Sequence, residues 1–368
     1  MATTERKIRV LIVDDSAFMR KVLEGIISAD PQFEIAGQAR DGNEAISLAA
    51  NLKPDVITMD INMPRMDGLE ATERIMTQNP RPIVIVSSES RQGTESTLRA
   101  LKLGAIDFVS KPSSGIDLDM KSVSVELLRK LHMASKVRVI RTAALANPGQ
   151  RPAAANADAP PINSAETNET GFPLVVIAAS TGGPATLMRL LPRFPKEFPA
   201  AVLLVQHMPA AFTSQLTLQL AEVTSLSVKE AQANERIQPG KLYVCPGSHH
   251  LRVTPAGRIA LEDGPRINGY RPCADLTLES AAKHGGARVI AAVLTGMGND
   301  GARGAQAVKA SGGTVLAQNE ATSVIFGMPA EAIRTGAVDQ VLALDDIYGA
   351  VEKLVDQICR FANPVGSR

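Results

Sequence analysis

What most limits how this chain can fold is an alternation that occurs twice. Short apolar runs alternate with amphipathic stretches up to about residue 130, and again from about residue 172. In the first part the strand-type runs are 8–13, 33–39, 55–60, 83–87 and 108–110. Several are apolar on both faces, as a parallel sheet covered by helices requires. Helical spacing fills the gaps at 17–28, 43–51, 69–78 and 94–103. The second part has strand-type runs at 174–178, 201–206, 289–294, 314–317 and 338–342, with helical segments at 185–191, 212–221, 302–310 and 348–361. Between 242 and 262, short β runs read as an antiparallel hairpin insert. The expected class is α/β: two doubly wound parallel-sheet domains, the first flavodoxin-like, the second Rossmann-like with a β-hairpin insert.

Residues 147–170 break the pattern. They are rich in Ala, Pro, Asn and acidic residues, with no apolar periodicity. Such a segment buries too little surface to offset its ordering entropy. We expect domains at 1–130 and 172–368 joined by a linker at 131–171, with a helix over 123–140 leading into it. Other functions recede on composition. The net charge is +1, aromatic content is 3% and there is no Trp, so neither a basic patch nor a stacking platform for nucleic acid is expected. Cys245, Cys273 and Cys359 are scattered without metal or disulfide spacing, which fits a reducing compartment. The polar start MATTERKIRV runs straight into a strand, and no apolar run is long enough to span a bilayer. We expect a cytoplasmic protein.

Polar residues collect at strand ends. Asp14 and Asp15 follow RVLIV, Asp60 ends DVITMD, Ser87 ends the fourth run, and Lys111 follows the fifth. In an open parallel sheet the carboxyl ends of the strands converge on one crevice. Three carboxylates there repel one another unless a cation neutralises them, and Mg2+ prefers oxygen ligands. A cation, a hydroxyl and a metal around a carboxylate suit phosphoryl transfer to it.

The second domain repeats the device. PLVVIAA leads into Ser180, Thr181, Gly182 and Gly183; His207 follows AAVLLVQ; Asp300 lies in LTGMGNDG after VIAAVL. All three side chains leave strand ends on one edge of the expected sheet. A serine needs a base, and the base needs an orienting carboxylate. We assign Ser180 as nucleophile, His207 as base and then acid, and Asp300 as orienter. The Thr181 backbone N–H and the Met297 loop are expected near the developing oxyanion. Ala178 replaces the first glycine of a nucleophile elbow, so that match is partial. A competing reading comes from Gly296, Gly298 and Gly301, which match a dinucleotide fingerprint with Glu320 as the ribose-binding acid. Against it, Asp300 would point a charge at the pyrophosphate, and the motif comes late in its domain. His249 and His250 tempt a metal reading but lack a third ligand nearby.

Two resemblances follow from these motifs. LIVDDS, MDINMPRMDG, IVSSES and VSKP resemble the response-regulator receiver family. This implies that Asp60 accepts phosphate from a chemotaxis histidine kinase. Asp15, Asp60 and the Asn62 carbonyl would hold Mg2+ with Asp14 beside them, Ser87 and Lys111 would bind the phosphoryl group, and Phe108 stands at the switch position. AASTGGP, VQHMP, YVCPGSHHL, LTGMGNDGA and FGMPAEAI resemble the protein-glutamate methylesterases of bacterial chemotaxis. That implies hydrolysis of γ-glutamyl methyl esters on cytoplasmic helices of chemoreceptors, deamidation of receptor glutamines, no cofactor for the esterase, and a receiver that covers the cleft until phosphorylated. Cys273, Thr277 and Cys245 depart from the residues expected there. A receiver-linked transcription factor and a catalytically inactive adaptor are the rival classes. The first lacks a basic recognition helix, and the second is opposed by the complete triad.

Overall fold

The computed structural model describes residues 6–87, 90–111, 117–137 and 171–362; the expected linker stretch 147–170 lies outside the described residues. The first domain runs β1 (Ile8–Val13), α1 (Ala17–Ser28), β2 (Phe33–Ala39), α2 (Gly42–Leu52), β3 (Val56–Met59), α3 (Gly68–Gln78), β4 (Ile83–Ser87), α4 (Arg91–Lys102), β5 (Asp107–Ser110) and α5 (Asp117–Ala134). Every strand pair is parallel, in the order β2-β1-β3-β4-β5. Parallel neighbours need long crossovers, and the helices supply them. The first four helix starts are written locally. Ser16, Asp41, Asp67 and Ser90 accept the N–H groups of Met19, Glu44, Glu70 and Gly93, satisfying donors that helices otherwise leave bare. α5 runs past the expected division at 130 and ends at Ala134.

The second domain continues with β6 (Leu174–Ala179), α6 (Gly183–Leu190), β7 (Ala201–Gln206), α7 (Ala210–Val223), β8 (Ser227–Glu230), β9 (Lys241–Val244), β10 (His250–Val253) and β11 (Ile259–Glu262). It closes with α8 (Ala274–Gly285), β12 (Val289–Val293), α9 (Ala302–Ala310), β13 (Thr314–Gln318), α10 (Met328–Arg334), β14 (Gln340–Leu342) and α11 (Leu344–Ala362). Seven strands form one parallel sheet in the order β14-β13-β12-β6-β7-β9-β8. Every residue of β6, β7 and β12 is buried, as central strands between two helical layers must be.

The hairpin expectation needs one correction. Only β10 and β11 pair antiparallel. The KLYV run is β9, which pairs in parallel with β7 and β8 inside the main sheet. β8 was not anticipated, because SVKE lacks a buried face and sits on the sheet edge. Helix α8 and the two-turn helix α10 also lie outside the sequence expectation.

The two domains pack on each other. α4 lies against α6 and α7. Phe108 of β5 stacks on Phe212 of α7 with ring centroids 4.1 Å apart. Such a pair contributes ~1 kcal/mol beyond its buried area. Val324, from the loop after β13, packs against the first-domain core that includes Leu127 and Leu131 of α5. No helix among the described residues is long and apolar enough to cross a membrane.

Two glycines test the packing with opposite signs. A Cβ at Gly68 would lie 2.0 Å from the Asp60 carbonyl oxygen, so Gly68→Ala must push backbone apart; we expect a loss of about 1–3 kcal/mol. A Cβ at Gly25, inside α1, meets nothing within 4 Å, and Gly25→Ala should gain roughly 0.5–1 kcal/mol from helix propensity. Urea unfolding midpoints of the two variants check this; shifts of the same sign would contradict it.

Candidate active site

Three neighbouring strands of the second sheet deliver the reactive groups. β6, β7 and β12 lie side by side, and their carboxyl ends carry Ser180, His207 and the loop holding Asp300. Backbone hydrogen bonds stitch these ends together: His207 N donates to Ala179 O (3.1 Å), Leu294 N to Ala178 O (2.9 Å) and Ser180 N to Thr295 O (3.0 Å). Gln206 Nε2 donates to the Ser180 carbonyl at 2.9 Å, fixing the turn from the other side. All three sequence-assigned residues therefore stand on one sheet edge.

Asp300 is the most constrained of them. It is buried, and its two oxygens accept from Ala274 N (2.6 Å), Asp275 N (2.8 Å), Gly301 N (3.0 Å) and Cys273 Sγ (3.3 Å). His207 Nε2 lies 2.7 Å from Asp300 Oδ2. Burial alone would lift the Asp300 carboxyl, but His207 and the backbone N–H groups outweigh it and hold the group below its ordinary value. An ionised carboxylate only accepts, so the Nε2 atom facing it carries the proton. The lone pair of neutral His207 is then on Nδ1, which is buried without a hydrogen-bond partner. No hydrogen bond joins His207 to Ser180 among the described residues; relay contacts of this kind often tighten only with substrate. Tyr270 stacks on the imidazole, centroids 4.6 Å apart at 24°, and fixes the ring plane.

The dinucleotide reading fails on this geometry. A Cβ at Gly296 would come within 2.8 Å of Ser180 Cβ, and one at Gly298 within 1.8 Å of the Tyr270 hydroxyl. The glycines make room for the serine turn and for Tyr270. Asp300, inside the motif, binds His207, and Glu320 lies in a short 3₁₀ turn beyond β13.

Ser180 and His207 open into a cleft that both domains line. Asp107, Phe108, Glu126 and Lys130 come from the first domain, and Met208 and Tyr270 are among the second domain's contributions. The side chain of Thr181, whose backbone N–H is the expected oxyanion donor, donates from Oγ1 to Asp107 Oδ2. The Thr181 carbonyl accepts from Thr295 Oγ1 (3.0 Å), and Met297 is buried in the loop after β12. Asp107 Oδ1 pairs with Lys130 Nζ at 3.1 Å, and Lys130 also pairs with Glu126 (2.9 Å) and lies over the Phe108 ring (5.0 Å). Burial would lower the Lys130 ammonium, but the two carboxylates keep it above its usual value. Phe108, assigned from sequence as a switch position, is thus a buried element of the domain interface. Sequence reasoning missed Asp107, Tyr270 and Gln206. Asp107 had a usable signal: a charged residue opening an apolar strand beside Phe108.

The first-domain crevice also gathers its assigned groups. Lys111 Nζ sits 2.9 Å from Asp60 Oδ2 and 3.0 Å from Asp14 Oδ2. Its N–H donates to the Ser87 carbonyl at 2.7 Å, tying the ends of β4 and β5 together. Carboxylate oxygens of Asp14, Asp15 and Asp60 lie within 4.8 Å of one another. Burial raises the Asp60 carboxyl above its ordinary value, against the pull of Lys111. One ammonium against three carboxylates leaves negative charge for a divalent cation to neutralise, so the donor set fits Mg2+. Asn62 is exposed beside it.

The remaining candidates are structural. His250 Nε2 bonds the Pro265 carbonyl (3.0 Å) and His249 Nδ1 the Ser248 hydroxyl (2.7 Å); neither joins a ligand cluster among the described residues. Cys273, Asp275 and Asp300 do cluster. Burial and the nearby Asp300 charge push the Cys273 thiol up to about 12, so it acts as a hydrogen-bond donor rather than a thiolate ligand. Burial likewise raises the Cys245 thiol.

Comparison with known proteins now bears on these sites. The response regulator receiver domain model matches residues 10–124, and the CheB methylesterase model matches residues 175–351. A protein-glutamate methylesterase/protein-glutamine glutaminase of Pyrococcus abyssi is 44% identical and covers 97% of this chain and 96% of its own. One of that name from Thermotoga maritima is 42% identical, covering 96% and 100%. The solved Thermotoga maritima CheB methylesterase catalytic domain is 42% identical, covers 51% of this chain and 100% of its own, and gives a TM-score of 0.49. Matched in both domain models, and over nearly its whole length by relatives above 40% identity, the chain belongs to the receiver-linked CheB methylesterase family.

Proposed function

We propose that Ser180, His207 and Asp300 are the catalytic groups of a protein-glutamate methylesterase whose cleft is opened by phosphorylation of Asp60. The observation that carries this reading is the His207–Asp300 contact at 2.7 Å, which leaves the buried Nδ1 without a hydrogen-bond partner on a residue that lines the same cleft as Ser180. The enzyme is a hydrolase of γ-glutamyl methyl esters and serves adaptation in chemotaxis. His207 Nδ1 takes the Ser180 proton as Oγ attacks the ester carbonyl. The same proton then goes to the departing methoxide, and methanol leaves. Water, deprotonated by His207, frees the glutamate and regenerates Ser180. Asp300 stabilises the imidazolium formed on the way. A receptor glutamine enters by the same route and releases ammonia. The N–H groups of the Thr181 turn and of the Met297 loop are the candidate oxyanion donors.

In the receiver, Asp60 accepts the phosphoryl group of a chemotaxis histidine kinase. Asp14, Asp15, Asp60 and the Asn62 carbonyl would hold Mg2+, which when bound offsets the charge of the transferred group. Ser87 and Lys111 bind that group. Lys111 directly follows the strand that carries Asp107 and Phe108, so drawing Lys111 toward a phosphoryl group acts on both interface residues. Phosphorylation then shifts the population toward an open cleft. We place the division between the domains within 131–171, the substrate on chemoreceptor cytoplasmic helices, and the enzyme in the cytoplasm.

Three outcomes are expected. Methanol release from methyl-labelled receptor membranes should rise when Mg2+ and a small phosphodonor are added; release that ignores the phosphodonor would contradict receiver control. Ser180→Ala should cut release by about 10³-fold or more while leaving Asp60 phosphorylation intact. Phe108→Ala should raise release in the absence of phosphodonor, and the phosphodonor should then add less; a variant as quiet as the native chain would remove the interface from the account.

A further inference from the structure

Helix α5 presents one face to the esterase cleft. Val125, Glu126, Arg129 and Lys130, spaced i, i+1, i+4 and i+5, all line it. Opposite them, the loop before α8 contributes Arg266 and Arg271 to the same cleft. Arg266 is exposed, and among the described residues its guanidinium hydrogen-bonds the Gly269 carbonyl of its own loop, at 3.3 Å. Arg271 is tied to the Gly264 carbonyl (2.9 Å) and to Asp263 (3.5 Å), and its Nε is buried without a hydrogen-bond partner. With α5 withdrawn, the mouth of the esterase cleft keeps two guanidinium groups, of which Arg271 is paired with the largely exposed Asp263 carboxylate.

With α5 in place, Glu126 is the helix-borne carboxylate that faces this rim. Burial would raise its carboxyl, but Lys130 beside it, together with Arg129 and Arg266, keeps it below its ordinary value. A helix carrying a carboxylate thus occupies the groove that a helical, glutamyl-bearing substrate must enter. We propose that Arg266 is a specificity-determining residue that pairs with a carboxylate flanking the scissile ester, and that receiver α5, with Glu126 held by Lys130 at 2.9 Å, occupies that part of the cleft while the chain is closed. The inference rests on the esterase reading above and deepens it: the preferred substrate is an acidic helical segment, and the receiver competes with it for the Arg266 side of the cleft.

The test uses the full chain with Mg2+ and a small phosphodonor. The probes are two helical peptides, each with one γ-glutamyl methyl ester, flanked one turn away by glutamate or by serine. The native enzyme should show a KM about threefold lower for the glutamate-flanked peptide, as a partly exposed ion pair allows. Arg266→Gln should erase that difference and keep kcat. Without phosphodonor, Glu126→Gln should speed methanol release from the glutamate-flanked peptide in the native background and lose that effect in the Arg266→Gln background. No flank preference, a preference that survives Arg266→Gln, or additive effects of the two substitutions would overturn the proposal while leaving the esterase standing. Absence of methanol from both peptides with the native enzyme would remove the esterase reading and this inference together.

Discussion

The Asp107 carboxylate answers to two domains at once. One oxygen pairs with Lys130 of its own domain, and the other accepts the hydroxyl of Thr181, the residue after Ser180. Burying a carboxylate is costly unless its acceptor sites are filled, and here the filling is shared across the interface. Separating the domains leaves Asp107 to water and Lys130, so opening exchanges one set of hydrogen bonds for another rather than abandoning them. That makes the interface a suitable two-state element: tightly fitted when closed, cheaply solvated when open. Phe108 adds an apolar contact, but Asp107 supplies the direction, because it points at the turn that holds Ser180.

The same sheet geometry serves both active centres. In each domain the groups sit at the carboxyl ends of parallel strands, where backbone pairing fixes their spacing before any side-chain contact forms. In the receiver, Lys111 bridges Asp14 and Asp60. In the esterase, Asp300 gathers four donors besides His207, so the imidazole is oriented by a carboxylate that cannot swing. Cys273 belongs to that set. A thiol makes a weaker and longer hydrogen bond than a hydroxyl, and the backbone N–H groups carry most of the restraint.

The strand ends were legible in the sequence because period and position alone specify them. Ser180, His207 and Asp300 each follow an apolar run, and parallel pairing makes their ends coincide. Pairing direction was less legible. The KLYV run looks the same whether it joins a hairpin or a parallel sheet, and only its partners β7 and β8 decide. β8 hid because an edge strand needs no apolar face. Helix α8 hid because Leu276 and Leu278 are its only large apolar side chains, and the burial of its small residues comes from close packing on α9 and β10 rather than from a large apolar stripe. Tyr270 could not be placed from sequence, since it acquires its role only where distant segments meet; Asp107 stood out as a charge opening an apolar strand, but its partner Thr181 lies in the other domain.

The central claim is that the receiver, seated through Asp107, Phe108 and α5, controls access to a nucleophilic Ser180. A small fluorophosphonate that phosphonylates activated serines tests this without any receptor. The full chain should label slowly, at Ser180 alone by peptide mass, and faster once Mg2+ and a phosphodonor are present. Equal rates in the two states, or labelling that bypasses Ser180, would contradict the account.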